Sequence, residues 1–488
     1  MPIPARISGL SGVVAAGHPL SAEAGAQVLR EGGNAVDAAV CAVLASFAVE
    51  SPLTGLGAGG FMMVHRPGAP ADSATTLLDF FVSAPGRDGI ERGAELVPVP
   101  VHFDVETVQT FYVGPASCGV PGTAAGLEEV LRRFGTMPLA ELVKPGVRLA
   151  REGAPVNAEQ AYILDILAPI HARLEGTREL YAPAGRTLRE GEVFRFVELA
   201  ETLERYGAEG AEPFCRGEIA TALSEHVVAG GGTLGPEDLA SYEPVEREPI
   251  RAHFRGTEVL TNPPPSSGGT LIAYCLGLLE QAGERSGPEQ LVAAMEAANA
   301  ARGDLLGSTT HISVLDASGM CANVTCSNGS GSGVLVPGTG VILNNMLGEE
   351  DLNPLGFHAI PAGHRVTSMM APTVVLRDGE IELGLGSAGS NRIRSAILQT
   401  IVRAVEQGMG AGEAVRAPRL HFEDGVVQAE PGIDEEALKR IEARGTPVLR
   451  RPQINLFFGG TQAVARERGS GRLSGGGDPR RGGSVAVA

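Results

Sequence analysis

The first part of the chain places apolar residues at the spacing of amphipathic helices. Residues 21–33 begin at a serine suited to N-capping and end in glycines, which predicts a helix. Residues 34–50 are apolar almost all round, so we expect a second helix that is sandwiched between other layers. The same reasoning predicts further helices at 123–135, 139–153, 195–207 and 268–283.

Short runs rich in β-branched and aromatic residues predict strands, and these runs cluster after residue 309. They are 61–65, 75–81, 310–316, 321–327, 340–345, 372–386 and 460–467. A short Asp-x-Ser-Gly turn joins 310–316 to 321–327, which predicts a hairpin. Helices that dominate before residue 309 and strands after it predict a mixed α/β fold with antiparallel character.

Charge and composition narrow the function. The 488 residues carry a formal net charge of −18, only 4% aromatic residues and no tryptophan. Such a chain repels phosphate backbones and offers few rings on which bases could stack, so we expect no nucleic-acid partner. The longest apolar run, 35–49, contains Asp37 and is too short to span a bilayer, so we expect no membrane partner.

The cysteines and histidines indicate neither a disulfide framework nor a metal site. The six cysteines lack CxxC and metal-finger spacings, and the ten histidines are scattered singly. Cys321 and Cys326 lie an odd number of residues apart on one predicted strand, so they should face opposite sides. Residues 1–20 also lack the basic and apolar regions of a signal peptide, and we therefore expect a cytoplasmic protein.

Two segments fit the Gly-x-Gly-x-x-Gly pattern of dinucleotide-binding proteins. Residues 55–60 follow a predicted helix and precede a strand, which reverses the required order. Residues 384–389 follow a strand and open a helix, but the acidic Glu406 falls inside that helix and not after a second strand. A nucleotide-binding oxidoreductase therefore ranks last among our hypotheses. Glycines at a helix N-terminus still offer N–H groups to an oxyanion.

Residues 303–314 place two threonines at the start of a predicted strand. A threonine hydroxyl is a weak nucleophile unless a base takes its proton. If the chain were cut before Thr309, the new α-amine could serve as that base, since such amines titrate near ~7.7–8.0. The alternative is that Thr309 and Thr310 are ordinary strand residues, and this segment alone favours the alternative.

The wider chain resembles the γ-glutamyltranspeptidase family of N-terminal-nucleophile hydrolases. The resemblance implies an α+β fold, a four-layer αββα sandwich, with no metal or organic cofactor. It implies self-cleavage between Ser308 and Thr309 into a large subunit, 1–308, and a small subunit, 309–488, which pair as one domain. The similar segments, over essentially the whole chain, are EGGNAVDAAV (31–40), GLGAGGFMMV (55–64), GVPGTAAGL (119–127), PPPSSGG (263–269), TTHISVLDASG (309–319), VPGTGVILNN (336–345), APTVVLRDG (371–379), GSAGSNRI (386–393) and GGGDPRRGG (475–483).

The resemblance also implies catalytic roles. Thr309 matches the nucleophile, and Ser327 stands where the family usually has a second threonine that bonds it. Asn328 fits a substrate-binding asparagine. Gly389 and Ser390 match two glycines whose N–H groups form the oxyanion hole, and the serine must adopt a compatible backbone conformation.

The acyl-donor pocket departs from the family. Phe81 replaces an arginine that binds the α-carboxylate of glutamate, and Met346 replaces a residue that binds its α-amine. Of two carboxylate-binding serines Ser368 remains and Met369 replaces the other, while Glu349 matches an acidic amine-binder. Losing a charge-assisted contact costs ~1.5–3 kcal/mol. We therefore predict intact cleavage chemistry with a pocket that favours acyl groups lacking a free α-carboxylate.

Two functions of different classes follow. The first is a γ-glutamyltransferase-like threonine amidohydrolase or acyltransferase that forms an acyl-enzyme on Thr309. Within it, γ-glutamyl transfer on glutathione-like small molecules competes with an acylase activity on other amides, and Arg87 would favour the former if it reached the pocket. The second is an uncleaved, catalytically silent scaffold. The short stretch between Asp351 and Arg365 also predicts that the family's lid is missing.

Overall fold

A computed structural model describes residues 10–103, 108–300 and 309–488. The strands in these residues are β1 (Gly12–Ala16), β2 (Gly59–His65), β3 (Thr75–Phe80), β4 (Val97–His102), β5 (Val108–Val113), β6 (Ala154–Pro155), β7 (Val193–Phe194), β8 (Val245–Arg247), β9 (Ile250–Phe254), β10 (Thr257–Thr261), β11 (Thr310–Asp316), β12 (Cys321–Ser327), β13 (Leu335–Val336), β14 (Val341–Ile342), β15 (Thr373–Arg377), β16 (Glu380–Ala388), β17 (Leu420–Glu423), β18 (Val426–Ala429), β19 (Val448–Arg450), β20 (Gly460–Arg466), β21 (Leu473–Gly476) and β22 (Ser484–Val487). The α-helices are α1 (Pro19–Arg30), α2 (Ala35–Val49), α3 (Thr123–Phe134), α4 (Leu139–Leu142), α5 (Lys144–Glu152), α6 (Ala158–His171), α7 (Glu175–Tyr181), α8 (Val197–Glu209), α9 (Glu212–Cys215), α10 (Glu218–Ala229), α11 (Pro236–Ala240), α12 (Ser267–Ala282), α13 (Pro288–Ala300), α14 (Arg392–Val405), α15 (Ala411–Arg416) and α16 (Glu435–Ala443).

Two antiparallel sheets lie at the centre of the fold. The larger has the order β22-β1-β11-β12-β2-β3-β8, and the smaller has the order β21-β20-β16-β15-β10-β9. Strands β11 and β12 lie in the middle of the larger sheet and pack against β16 of the smaller one. The end of β11 that carries Thr309 is therefore surrounded by other elements.

The side chains of each strand alternate between two cores. In β1, Val13 and Ala15 belong to the core between the sheets. Val14 and Ala16 instead pack with α1 and α2 on the outer face of the larger sheet. Helices α12, α13 and α14 cover the outer face of the smaller sheet. The layers run helix, sheet, sheet, helix, which confirms the expected αββα sandwich.

Segments before and after residue 309 share both sheets. The larger sheet takes β1, β2, β3 and β8 from the first segment and β11, β12 and β22 from the second. The smaller sheet takes β9 and β10 from the first and the other four strands from the second. The expectation that strands cluster after residue 309 therefore understated the number of strands in the first segment. Several of these strands pair with strands that lie far away in the sequence, and local patterns do not reveal such pairs.

Most predicted helices are confirmed, and one is wrong. Helices α1, α2, α3 and α12 lie within three residues of their predicted ends, and the helix expected at 195–207 is α8. The single helix expected at 139–153 is instead two, α4 and α5, which meet at Val143. Pro145 lies in the first turn of α5, where its missing N–H prevents one helix from continuing through.

Two strand predictions also need correction. The hairpin of β11 and β12 is confirmed, with Leu315 opposite Cys321. The strand expected at 340–345 shrinks to β14, because the Asn344 side chain bonds the backbone of Gly57 and Gly119. The run 372–386 is two strands, β15 and β16, since the chain reverses between them and β16 continues to Ala388.

The glycines at 384–389 do not open a helix as the dinucleotide-binding pattern requires. They lie in and just after β16, within an antiparallel sheet. A Cβ built on Gly386 would lie 2.2 Å from Cε1 of His311, so the missing side chain lets the two sheets approach closely. The Glu406 carboxylate bonds the Arg255 guanidinium and the Ser286 amide, both at 2.8 Å. The dinucleotide-binding alternative is therefore wrong.

None of the cysteines forms a disulfide, and the side of the sheet that Cys321 faces is known. All six are free, and Cys321 faces the core between the sheets. Among the described residues, no helix has the length and apolar content needed to cross a membrane. The same residues contain no group of three or more histidine, cysteine or acidic side chains that could hold a metal ion.

Candidate active site

Thr309 directly precedes β11 and is almost completely buried, with 2% of its surface exposed. The register of the hairpin pairs Thr310 with Cys326, which places Thr309 opposite Ser327. Odd-numbered residues of β11, such as Leu315, belong to the core between the sheets. Strand alternation therefore places Thr309 at the edge of this inter-sheet core.

A small cavity reaches Thr309. It brings together six of the residues selected from the sequence, although they lie up to 288 positions apart. Ser308, the other residue of the expected cleavage site, lies outside the described residues. The lining residues are Phe81, Thr309, Met346, Glu349, Leu352, Ser368, Met369, Met370 and Ile393.

The lining of this cavity is mainly apolar. Phe81 is fully buried, and its ring stacks on Phe61 with 5.4 Å between the centroids. Among the described residues, no arginine lines the cavity. Arg87 lies instead in a separate cleft with Arg247 and Arg365, so it does not restore the lost charge at this site. Phe81 thus leaves an apolar wall at the position of the family's carboxylate-binding arginine.

Glu349 is the ionisable side chain in the lining. Its Oε1 accepts a hydrogen bond from the Ser330 amide at 2.9 Å, and its Oε2 has no hydrogen-bond partner within the described chain. Burial raises the pKa of Glu349 to about 8, although hydrogen bonds from Ser330 and Asn345 act in the opposite direction. The carboxyl is therefore mostly protonated at neutral pH, and it cannot serve as a full negative charge there.

Ser327 and Asn328 are not among the residues that line the cavity. Ser327 Oγ accepts a hydrogen bond from the Gly329 amide at 2.8 Å. The Asn328 side chain is fully buried, and neither atom of its amide has a partner among the described residues. Such unpaired buried amides are rare because they cost free energy. Asn328 therefore stays a candidate ligand-binding group.

Gly389 and Ser390 form the turn between β16 and α14. Gly389 has φ 115° and Ser390 has φ 62°. A Cβ built on Gly389 would lie 2.6 Å from Cα of Gly459, so only glycine fits there. Neither residue lines the cavity, but Ile393, which donates its amide to the Ser390 carbonyl at 3.0 Å, does. The turn thus lies beside the cavity, and Ser390 adopts the left-handed conformation that a glycine would adopt at this position.

Glu50 is a buried carboxyl that sequence reasoning missed. It follows α2 and accepts hydrogen bonds from Oγ1 of Thr310 at 2.6 Å and Oγ of Ser21 at 3.4 Å. Burial raises the pKa of Glu50 to about 7, although these hydrogen bonds and the Arg481 guanidinium lower it. An acidic residue directly after a mainly apolar helix of 15 residues was the available signal.

Replacing Glu50 by glutamine is expected to stabilise the protein at alkaline pH. Its pKa is about 7 in the folded protein against an ordinary 4.5, so folding disfavours the ionised form. The resulting cost develops between these two values as pH rises and reaches about 3 kcal/mol above the higher one. Thermal unfolding at about pH 8 should give Glu50→Gln the higher Tm, and the difference should vanish at about pH 4. A lower Tm for the variant at the alkaline pH would contradict this expectation.

The comparison with known sequences identifies the family. The sequence profile described as Gamma-glutamyltranspeptidase matches residues 21–308 and 305–488. The chain belongs to the γ-glutamyltranspeptidase family. It is therefore an enzyme, a γ-glutamyltransferase- or hydrolase-like N-terminal threonine hydrolase, and a threonine nucleophile is general in this family.

Two kinds of γ-glutamyltranspeptidase relative match this chain about equally well. Acylase ACY 1 proenzyme of Pseudomonas sp. (strain SE83) is 32% identical over 511 residues, which cover 94% of this chain and 90% of the relative. Glutathione hydrolase proenzyme of Escherichia coli (strain K12) is 31% identical over 543 residues, which cover 96% and 90%. The crystal structure of cephalosporin acylase from Bacillus halodurans has a TM-score of 0.84 and 26% identity, and the match covers 100% of this chain and 98% of that one. Overall identity thus does not decide which acyl group this enzyme transfers.

Proposed function

We propose that this protein is a self-cleaving threonine amidohydrolase or acyltransferase whose substrates carry an acyl group without a free α-carboxylate. The apolar cavity beside Thr309 carries this proposal. Phe81, Met346 and Met369 occupy positions where the family resemblance implies polar or charged groups, and all three line that cavity. The relatives named acylases support an amide substrate other than a γ-glutamyl compound.

Self-cleavage provides the catalytic base. The Thr309 hydroxyl attacks the carbonyl carbon of Ser308, the peptide C–N bond breaks, and the amide becomes an ester as the nitrogen gains a proton. Water then hydrolyses the ester, which leaves a carboxylate on Ser308 and a free α-amine on Thr309. The products, 1–308 and 309–488, would stay paired because each of the two sheets contains strands from both of them.

Turnover follows from the same two groups. The α-amine of Thr309 takes the proton from its own hydroxyl, and the oxygen attacks the substrate amide carbonyl. The N–H groups of Gly389 and Ser390 stabilise the oxyanion, and the Ser327 hydroxyl orients the nucleophile. The leaving amine departs with the proton, and an ester forms on Thr309. Water or an amine then accepts the acyl group.

The cavity discriminates against a γ-glutamyl donor by desolvation. An α-carboxylate bound there would lose its hydration without gaining a charged partner from the described lining, which contains no arginine or lysine. The α-ammonium of the same donor would meet Glu349, which burial keeps mostly neutral at pH 7. Ser368 remains in the lining as a hydrogen-bonding group for an uncharged acyl chain.

A γ-glutamyl substrate, as named for the glutathione hydrolase relative, is the second candidate. Glu349 favours it, since an acidic residue persists where the family binds the α-amine. A silent scaffold is dropped because the chain is an enzyme. The missing lid and a cytoplasmic location stay predictions from the sequence.

The substrate preference is expected to be at least tenfold. An aliphatic acyl anilide should show a kcat/KM at least about tenfold above that of a γ-glutamyl anilide, because the latter forgoes a charge-assisted contact. Chromophore release from the two anilides at equal enzyme concentration measures this ratio. A wild-type preference for the γ-glutamyl anilide would favour the second candidate.

Two matched variants test the role of the pocket. Met369→Ser restores the family's paired serines. It should lower the ratio of kcat/KM for the acyl anilide to kcat/KM for the γ-glutamyl anilide. Met370→Ser makes the same change at the next residue, which also lines the cavity, and should leave the ratio closer to that of the wild type. Equal effects of the two variants would show that general cavity polarity, and not the paired serines, sets the preference.

A further inference from the structure

The turn after β16 holds a conformation that serine adopts rarely. Ser390 has φ 62°, in the left-handed region. It is buried, whereas the other non-glycine residues with positive φ in the described chain are partly or fully exposed. Three of these others precede a glycine in a hairpin turn, where that conformation is common. These three are Arg255, Asp378 and Asp424, and the fourth residue with positive φ is His358.

The residue after Ser390 is bound to a carboxylate at the end of β17. Asn391 occupies the N-cap position of α14, where asparagine commonly caps the helix with its side chain. Here that side chain makes no capping hydrogen bond, and Nδ2 donates instead to Oε1 of Glu423. A group suited to local capping is thus used for a tertiary contact.

Arg392 fixes the same turn from the other side. Its Nη1 lies 3.8 Å from Oε2 of Glu423, and its Nε donates to the Phe457 carbonyl at 3.1 Å. Its guanidinium also lies over the Phe457 ring, 4.7 Å from the centroid. One carboxylate therefore contacts both residues that follow Ser390.

Glu423 is itself held in place. Its Oε2 lies 3.3 Å from Nε2 of His421, and Nδ1 of that histidine lies 2.6 Å from Oγ of Ser395. Burial acts to raise the pKa of Glu423, but the hydrogen bonds from His421 and Asn391 and the Arg392 guanidinium lower it. Burial lowers the pKa of His421 to about 4, so the ring is neutral at neutral pH. Glu423 is therefore an ionised and anchored group.

We propose that Glu423 is a positioning residue for the Gly389–Ser390 turn. By holding Asn391 and Arg392, it keeps Ser390 in the left-handed conformation in which the turn presents its N–H groups. The family resemblance implies a glycine at position 390, which adopts this conformation without such support. Glu423 thus compensates for the serine. This inference rests on the proposed role of the turn as the oxyanion hole.

The test combines Glu423→Ala with Ser390→Gly. In the wild-type background, Glu423→Ala should lower kcat on the acyl anilide about 10- to 100-fold, because a misplaced donor no longer reaches the oxyanion. KM should change less than about threefold, since the acyl pocket is untouched. In the Ser390→Gly background, the same replacement should lower kcat less than about threefold. An equal loss in both backgrounds would overturn the proposal.

A matched carboxyl controls for general destabilisation. The Glu382 side chain in β16 is 13% exposed, close to the 19% of Glu423. Like Glu423 it forms ion pairs with basic side chains, here Arg377 and Arg468. Glu382→Ala should leave kcat within about twofold of the wild type, because it lies away from the turn. A comparable loss of kcat in this control would assign the Glu423 effect to weakened folding and overturn the proposal.

Thermal unfolding separates this inference from the proposed function. If Glu423 supports the strained serine, the Tm loss caused by Glu423→Ala should be smaller in the Ser390→Gly background. Additive changes in Tm would contradict the coupling. If the wild-type protein showed no turnover that depends on Thr309, the proposed function would be wrong. The Tm values of the wild type, the two single variants and the double variant would still show whether Glu423 and Ser390 are coupled. If Glu423→Ala does not fold, Glu423→Gln takes its place, since it keeps an acceptor for Asn391 but loses the charge.

Discussion

Thr309→Ala is expected to remain a single chain of 488 residues with no measurable amidase activity. Without the hydroxyl, nothing attacks the Ser308 carbonyl, and no acyl-enzyme can form. Removing a nucleophile typically lowers kcat by about 10³-fold or more, and here the base is lost with it because the α-amine is never released. Denaturing mass spectrometry of the purified chain and the anilide assay measure the two effects.

Two neighbouring replacements control for this result. Thr309→Ser keeps a hydroxyl and should still yield two pieces, the smaller beginning at residue 309. Thr310→Ala removes the hydrogen bond to Glu50 and a buried methyl group but leaves Thr309 in place, so this chain should also be cut. Wild-type protein that stays uncut while it hydrolyses amides would refute the mechanism. A Thr309→Ala chain that is cut at the same bond would refute it as well.

Gly389→Ala is expected to lower both stability and kcat. The new Cβ would lie 2.6 Å from Cα of Gly459, and the φ of 115° strains any residue with a side chain. Backbone strain of this kind costs about 1–3 kcal/mol, and the contact with a neighbouring backbone adds to it. Displacing one oxyanion donor should lower kcat about 10²-fold or more.

Gly408 offers the matched control. It also has positive φ, 72°, but a Cβ built there meets no atom within 4 Å. Gly408→Ala should therefore cost only about 1 kcal/mol and leave kcat unchanged. Chemical denaturation and anilide turnover of both variants make the comparison. Equal stability losses would show that strain, and not the contact with Gly459, dominates at Gly389.

Local patterns were sufficient to predict much of the fold. The apolar run at 35–49 predicts a sandwiched helix, and α2 is buried along its whole length. The short turn at 316–319 predicts a hairpin, and β11 pairs with β12 there. Both signals depend on residues close in sequence. The break at Val143 was missed because Pro145 was assigned to the interior of one long helix. It lies instead in the first turn of a second helix, α5.

The sequence also predicted which residues gather beside Thr309. Phe81, Met346, Glu349, Ser368 and Met369 were selected through the family resemblance, and the structure places all of them in one cavity. Their roles stay predictions. The sequence left open whether Arg87 reaches this site, since six residues of loop permit many directions. The structure places Arg87 in another cleft.

By itself, the sequence determined the periodic elements, the family and the chemical type of the site, because periodicity, turn residues and motif spacing are properties of neighbouring positions. Three properties of the site depend on the packing of the whole fold. Glu50 lies against Thr310, Glu423 binds the residue after Ser390, and burial keeps Glu349 mostly neutral. These properties arise from segments that lie far apart in the chain. The pKa of a carboxyl and the partner of an asparagine depend on what packs around them, and no local pattern records that packing.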